Sequence, residues 1–435
     1  MQSTMLQTLR WSEQPTRIAV SVSAGGAETY LQVTSRVDVE RVCLGRPVEE
    51  LPRITSLLSP AHHLVSAMAL DNLFKAAPPE PALHIRDALL HALFAAHHAR
   101  KLYFLLCSRD NPFREFRLRA AGPRVACHEL LTETMSCLGL AQEAAAILGG
   151  RPDHPLSAVA GGVGMSLKQV HYERLTDIAQ SCRVLAVKMA HDFSEHVLND
   201  GPTHDGLLQM EIRPPHALTL AQESGEVVVR DAHGQDVDRF APERIFEKVS
   251  LHREAWTYEP FAYLAETGWK GFDAEASDSL FFVGPLSRVC GGGAISTPRA
   301  EELQGQLTEI LAASPGITVE AAFRALLVEL VAATERMETI YRQENFVGPS
   351  FRTVPSVERG NVGIAVLESP GGFIAHRYHV DDRAIVQKIE VLDAAAENNA
   401  LCCLVARKAV EEAMARNLRP AQTRSMIETS LLPFR

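Results

Sequence analysis

Hydrophobic residues recur along much of this chain at the three- and four-residue spacing of an amphipathic helix. The pattern predicts helices from Pro60 to the prolines at 78, 79 and 81, then over 87–106, 127–148, 166–198, 319–343 and about 398–416. Gly149 and Gly150 end the 127–148 helix, and the Thr318 hydroxyl is placed to cap the 319–343 helix. The 87–106 segment is apolar enough to predict a buried helix.

Alternating apolar and polar residues predict a smaller number of strands. Residues 17–33 alternate around the turn 24–27 and predict a β-hairpin. A short strand is predicted over 226–230, and the 362–367 and 385–391 strands flank a turn at Pro370-Gly371-Gly372. The expected fold class is therefore α+β and predominantly helical, as a single domain over residues 1–435 with strand-rich ends.

Composition excludes several classes of protein. The net charge is −10 over 435 residues, without a local basic cluster, so nucleic acid is not an expected partner. No stretch reaches the roughly 20 apolar residues of a membrane span, and residues 1–14 lack the apolar core of a secretory signal. The eight cysteines form no C-x-x-C pair, which favours free thiols in the cytoplasm over disulfides or a cysteine-held metal cluster.

Histidines and glycines supply the remaining candidate chemistry. Adjacent histidines at 62–63 and 97–98 point to different helix faces, so neither pair chelates a metal by itself, and structural or solvated roles are expected. The glycines over 161–164 fit neither phosphate-binding fingerprint, and predict a turn with positive φ. The glycines at 291–293 receive the same interpretation. The residues alone therefore predict no specific reaction.

Several segments, taken in order, resemble the large subunit of nickel–iron hydrogenases, especially the cytosolic types coupled to NAD(P) or a deazaflavin. The matching segments are 40–47, 50–55, 62–64, 67–71, 149–151, 154–155, 161–163, 256–258, 283–288, 297–298, 368–376 and 398–399. The 368–376 segment, Glu-Ser-Pro-Gly-Gly-Phe-Ile-Ala-His, resembles the family loop E-x-P-R-G…H. The resemblance implies the large-subunit fold, with a long central helix bundle, an N-terminal β-hairpin and a strand-rich C-terminal part.

The departures from the family concern its metal centre. In the family, two C-x-x-C motifs supply the thiolates that bind nickel and bridge it to iron, and soft thiolates suit both metals. The first motif is absent before His62, where alignment places Thr55 and Leu58 or a deletion of about four residues. The chain ends where the second motif would begin, and Gly371 replaces the loop arginine. The sequence therefore predicts a member of the family without the nickel–iron centre, and no cofactor bound by this chain.

The resemblance carries three candidate polar site residues. Glu40 falls on the family's proton-transferring glutamate, His62 on the histidine after the first cysteine motif, and His376 on the histidine beside the loop. For Glu40 a surface salt bridge is the competing interpretation, and for His376 a structural hydrogen bond. Cys402 and Cys403 lie in an apolar helical segment and are predicted to be buried packing thiols.

Three functions remain open at this point. The first is a component that does not activate hydrogen, in a cytosolic electron-transfer complex with an iron–sulfur small subunit, plus flavin- or NAD(P)-binding subunits further out. By analogy, a related component of respiratory complex I lacks the metal-binding cysteines. The second is an assembly scaffold for hydrogenase, which the absent thiolates disfavour. The third is a redox enzyme that uses the emptied cavity for an organic substrate or a quinone.

Overall fold

A computed structural model describes residues 3–9, 15–23, 26–107, 123–199, 210–212, 215–221, 224–272, 278–290, 295, 297–312, 316–342, 350–355 and 358–435. Its α-helices are α1 Val39–Cys43, α2 Leu51–Thr55, α3 Pro60–Leu73, α4 Glu80–Cys107, α5 Pro123–Gly149, α6 Gln169–Phe193, α7 Ile245–Lys248, α8 Pro285–Cys290, α9 Pro298–Ala312, α10 Val319–Tyr341, α11 Ala394–Ala415 and α12 Pro420–Leu431. A π-helical turn, Ser194–Asn199, extends α6. No helix within these ranges is long and apolar enough to cross a bilayer.

The centre of the molecule is a bundle of the long helices α4, α5, α6 and α10. Helix α4 packs against α5 and α10, and α6 packs against the same two helices. Helix α10 is buried around most of its circumference, which explains why its sequence is apolar beyond a single stripe. Thr318 Oγ1 accepts a hydrogen bond from the Ala321 N–H at 3.1 Å, so the predicted cap of this helix is confirmed.

Short sheets surround the bundle. The strands are β1 Ser3–Leu9, β2 Thr16–Ser23, β3 Gly26–Val33, β4 Ala158–Val159, β5 Gly162–Val163, β6 Glu211–Ile212, β7 His216–Leu220, β8 Val227–Arg230, β9 Asp236–Phe240, β10 Val249–His252, β11 Phe261–Leu264, β12 Phe281–Phe282, β13 Ile317–Thr318, β14 Val362–Ser369, β15 Gly372–Val380 and β16 Val386–Leu392. The larger sheets have the orders β1-β2-β3, β12-β7-β8-β9 and β14-β15-β16. The predominantly helical α+β class and the N-terminal hairpin are confirmed.

Several predicted boundaries were wrong. Helix α4 begins at Glu80, seven residues before the predicted start, because Pro81 lies in its first turn, where its missing N–H costs nothing. Strand β15 and helix α12 were not predicted, and β15 is the central strand of its sheet. The strand predicted over 226–230 is β8, and further strands that were not predicted surround it over 211–282.

The glycines over 161–164 lie in the turn between the short strands β4 and β5, in β5 and just after it. Gly161 and Gly162 adopt φ values of +81° and +148°, as predicted. A side chain at either position would collide with the backbone of residues 351–353, so glycine is required for both conformation and space. The glycines at 291–293 lie outside the described residues.

Candidate functional site

Two of the segments that resemble the hydrogenase family, 62–64 and 368–376, contribute residues to one cavity of about 160 Å³. The start of α3 contributes His62, and the turn between β14 and β15 contributes Pro370 and Gly371. Helix α4 and the last residue, Arg435, complete the wall. Segments that lie hundreds of residues apart in the sequence therefore form a common site.

His62 and His376 are in direct contact beside this cavity. The His62 Nδ1 and His376 Nε2 atoms are 2.8 Å apart, and His376 Nδ1 lies 2.5 Å from the Tyr378 hydroxyl. That hydroxyl donates to Ser66 Oγ at 2.7 Å. Burial lowers the pKa of His62 to about 4 and also lowers the pKa of His376, where the nearby His62 adds to the effect. Both imidazoles are consequently neutral near pH 7, in a continuous buried hydrogen-bonded chain.

Glu40, the third candidate residue, is not part of that chain. It is half-buried on α1 and acts at longer range on Arg36. The Arg36 guanidinium lies 3.7 Å from Glu259 and 3.6 Å from Asp393, a residue of the cavity wall. Burial opposes the charge of Arg36, but these carboxylates outweigh it and raise its pKa. The structure thus brings two of the three predicted site residues, His62 and His376, together. Glu40 is separate from them and acts on Arg36, which pairs with Asp393 of the cavity wall.

Arg288 fixes the shape of the turn at the cavity. Its guanidinium contacts Glu329 at 2.5 and 2.7 Å and Glu368 at 2.7 Å, and it donates to the Ser369 carbonyl at 3.1 Å. Burial acts to raise the pKa of Glu329, but the charge of Arg288 overcomes it and lowers that pKa to about 2. The 283–288 segment therefore anchors the 368–376 segment through a buried ionic network.

Helix α11 adds amide and carboxyl groups to the same region. The Val283 N–H donates to Asn398 Oδ1 at 2.9 Å, and Asn398 Nδ2 donates to the Phe434 carbonyl at 2.8 Å. Glu397 is fully buried, and burial raises its pKa well above the usual range, with Glu368 as a further cause. This buried carboxyl group, with its raised pKa, is a feature that sequence reasoning missed.

The donor set around the cavity does not suit a nickel–iron centre. Over the described part of the chain, no cysteine is among the residues of the cavity wall, and no three His, Cys, Asp or Glu side chains are grouped to hold a metal ion. Cys402 and Cys403 are buried in α11, as predicted. The wall contains the cations Arg100, Lys101 and Arg435 and the carboxylates Asp153 and Asp393.

These cations were also missed by sequence reasoning. Arg100 and Lys101 follow an otherwise apolar stretch of α4, and two adjacent cations in a segment predicted to be buried were the available signal. No local sequence pattern indicated Arg435, because its place in the cavity wall depends on packing against residues that are distant in the sequence.

Comparisons with known proteins identify relatives over most of the chain. An F420-non-reducing hydrogenase iron-sulfur subunit of Archaeoglobus profundus is 24% identical over 428 residues, which cover 92% of this chain and 86% of the relative. The NAD-reducing hydrogenase HoxS subunit beta of Cupriavidus necator is 23% identical over 418 residues, with coverages of 88% and 82%. No family model matches the chain.

Solved structures show the same relationship at the level of the fold. An NAD+-reducing [NiFe]-hydrogenase in the H2-reduced state superposes with a TM-score of 0.83 at 22% identity, covering 100% of this chain and 97% of that chain. The Ni-Fe-Se hydrogenase of Desulfovibrio vulgaris Hildenborough gives a TM-score of 0.74 at 16% identity, with coverages of 100% and 98%. The family predicted from the sequence is confirmed: the chain is a homologue of hydrogenase subunits and has the fold of the nickel–iron hydrogenase large subunit.

Proposed function

We propose that this protein is a hydrogenase large-subunit-like component of a cytoplasmic redox complex, and that it does not activate hydrogen itself. It packs against an iron–sulfur small subunit, with flavin- or NAD(P)-binding subunits further out. The observation that carries the proposal is the cavity, where two of the matched segments meet and whose wall, over the described residues, contains no cysteine thiolate.

The chemistry of the cavity supports the loss of the metal centre. Nickel and iron of this type need soft, anionic thiolates. Gly371 lines this cavity, where the resemblance would place the family's loop arginine, and Ser59, Pro60 and Ala61 precede His62 in the wall.

The preserved fold supports a role that depends on packing. The relatives whose names include NAD-reducing and F420-non-reducing hydrogenase align with most of this chain. In the structure, an ionic and amide network joins the matched segments 283–288, 368–376 and 398–399. Docking to an electron-transfer partner requires the fold and not the nickel.

An assembly scaffold is the weaker alternative, because a scaffold for iron with diatomic ligands would also be expected to offer thiolates. The test is a gentle affinity purification of the tagged protein from its own host, with the partners identified by mass spectrometry. The proposal expects, at a fixed ratio, an iron–sulfur small subunit together with a flavin- or NAD(P)-binding subunit. Recovery of maturation proteins, or of an immature hydrogenase, would favour the scaffold and overturn the proposal.

A further inference from the structure

One ring nitrogen of His62 is left for a ligand at the cavity. His62 belongs to the cavity wall, and its Nδ1 atom lies 2.8 Å from His376 Nε2. Its own Nε2 atom takes part in no hydrogen bond with the described residues, although the side chain is only 3% exposed. Buried polar atoms are usually hydrogen-bonded, so an atom held here without a partner favours a ligand that supplies one.

The hydrogen-bonded chain behind His62 determines which of its nitrogens carries the proton. The Tyr378 hydroxyl donates to Ser66, so its oxygen accepts from His376 Nδ1 at 2.5 Å. Burial lowers the pKa of His376 and keeps it neutral, so its Nε2 atom has no proton and accepts from His62 Nδ1. The pKa of His62 is lowered to about 4, so this imidazole is neutral as well. Its Nε2 atom therefore presents a lone pair.

A second histidine of the wall, His97, has the same protonation by an independent route. Arg288 keeps Glu329 ionised, and a carboxylate only accepts, so the nearby His98 Nε2 carries a proton. Burial lowers the pKa of His98, and its Nδ1 atom is then the acceptor for His97 Nδ1 at 3.4 Å. Burial also lowers the pKa of His97 and keeps it neutral. Its Nε2 atom is consequently a lone pair too, and neither imidazole of the wall has an N–H to donate to a ligand.

The charged side chains of the wall do not select an ionic ligand. All of them have interactions within the chain: Arg100, Lys101, Asp153, Asp393 and Arg435. The wall therefore has no unpaired charge to offer. The polar groups that distinguish it are the two imidazole acceptors.

Much of the remaining wall is apolar. Leu93, Ala96 and Phe104 of α4, Ala145 of α5 and Ile374 of β15 contribute carbon surface. Ligand pockets combine such walls with a few polar groups that orient the ligand. A cavity of roughly 150 Å³ is large enough to bind benzene, and this one has about 160 Å³. The size therefore suits a single aromatic ring.

We propose that this cavity binds a small neutral phenol, whose hydroxyl donates a hydrogen bond to His62 Nε2 and whose ring packs against Leu93 and Ile374. The site goes beyond the role as a component of a redox complex, because it gives the emptied cavity a ligand of defined chemistry. Water could also donate to His62, but it would leave the apolar wall without a partner. Ethers and carbonyl compounds fit less well, because they only accept hydrogen bonds and the imidazoles of the wall do the same.

Binding can be measured on the purified full chain by isothermal titration and by fluorine NMR with 4-fluorophenol. We expect one site per chain, and about ten-fold weaker binding of 4-fluoroanisole, in which a methyl group replaces the hydroxyl proton. His62→Phe keeps a ring but removes the acceptor, and it should weaken 4-fluorophenol binding about ten-fold. His84→Phe is the matched control, because His84 lies on α4 outside the cavity wall.

Nitrogen-15 NMR of the histidine-labelled wild-type protein tests the protonation directly and does not depend on a variant that folds. In the free protein, we expect His62 to carry its proton on Nδ1 and none on Nε2. Addition of 4-fluorophenol should then shift the Nε2 resonance of His62.

Five results would overturn the proposal. They are the absence of 4-fluorophenol binding, equal affinity for 4-fluoroanisole, tighter binding of 4-fluorobenzoate, a proton on His62 Nε2 in the free protein, and wild-type affinity in a folded His62→Phe protein. Because these measurements use the isolated chain, their failure is distinguishable from failure of the proposed function, which concerns partners and metal content.

Discussion

At the residue scale, the site is a set of buried polar groups whose charges are fixed by their neighbours. His62 and His376 are neutral because burial lowers their pKa values, whereas Glu329 is ionised because Arg288 lowers its pKa. The sequence identified both histidines through the matched segments. The sequence could not identify the cations of the cavity wall, because Lys101 is part of that wall only through the packing of α4 beside the turn at Gly371.

Replacing Arg288 should strongly destabilise the fold. Arg288→Met leaves Glu329 and Glu368 buried without their cation, so we expect the free energy of unfolding to fall by about 3–5 kcal/mol in urea denaturation. The control Arg299→Met breaks an exposed pair with Glu302 and should cost less than about 1 kcal/mol. Equal losses for the two variants would show that the buried network has no special importance.

Acidification should destabilise the protein through His62. The pKa of His62 is about 4 in the folded chain, against an ordinary value of 6.5. As the pH falls, the unfolded chain therefore binds a proton at this residue before the folded chain does. The contribution of neutral His62 to the free energy of unfolding is fully present above pH 6.5 and is lost as the pH falls towards 4. At pH 5 the loss due to this residue is about 2 kcal/mol.

His62→Gln should therefore flatten the decline in the free energy of unfolding between pH 7 and pH 5, measured by denaturant titration at each pH. His233→Gln, at an exposed turn position, is the matched control and should keep the wild-type slope. An unchanged slope in the His62 variant would mean that His62 does not titrate differently on unfolding.

At the scale of elements, the long helices were predictable because their apolar spacing and end signals are local. The confirmed cap at Thr318 is an example. Strand β15 was not predicted, because its first residues fall in the 368–376 segment, which the resemblance assigned to a loop. It is a strand because it pairs with β14 on one side and β16 on the other, and such pairing is not a local property.

The cap at Thr318 offers a test at this scale. Thr318→Ala removes the acceptor of the Ala321 N–H and should lower the free energy of unfolding by about 1 kcal/mol. Thr318→Ser keeps the hydroxyl and should remain near the wild-type value. Chemical denaturation of both variants checks this, and a serine variant as unstable as the alanine variant would assign the effect to the lost methyl group.

At the scale of the whole molecule, contacts between distant segments define the site. His62 and His376 are separated by 314 positions, yet they share a hydrogen bond. The order of the matched segments was enough to predict the family and its fold. The cations of the cavity wall could be identified only from the structure. Helix α4, the turn at Gly371 and Arg435 are far apart in the sequence, and no local pattern indicates that they meet.

The central claim is that a large-subunit fold works here without nickel. The most direct measurement is elemental analysis of nickel and iron, by inductively coupled plasma mass spectrometry, on the complex purified gently from its own host grown with ample nickel. The account predicts iron from the clusters of the iron–sulfur partner, without stoichiometric nickel. Nickel at one atom per chain would contradict it.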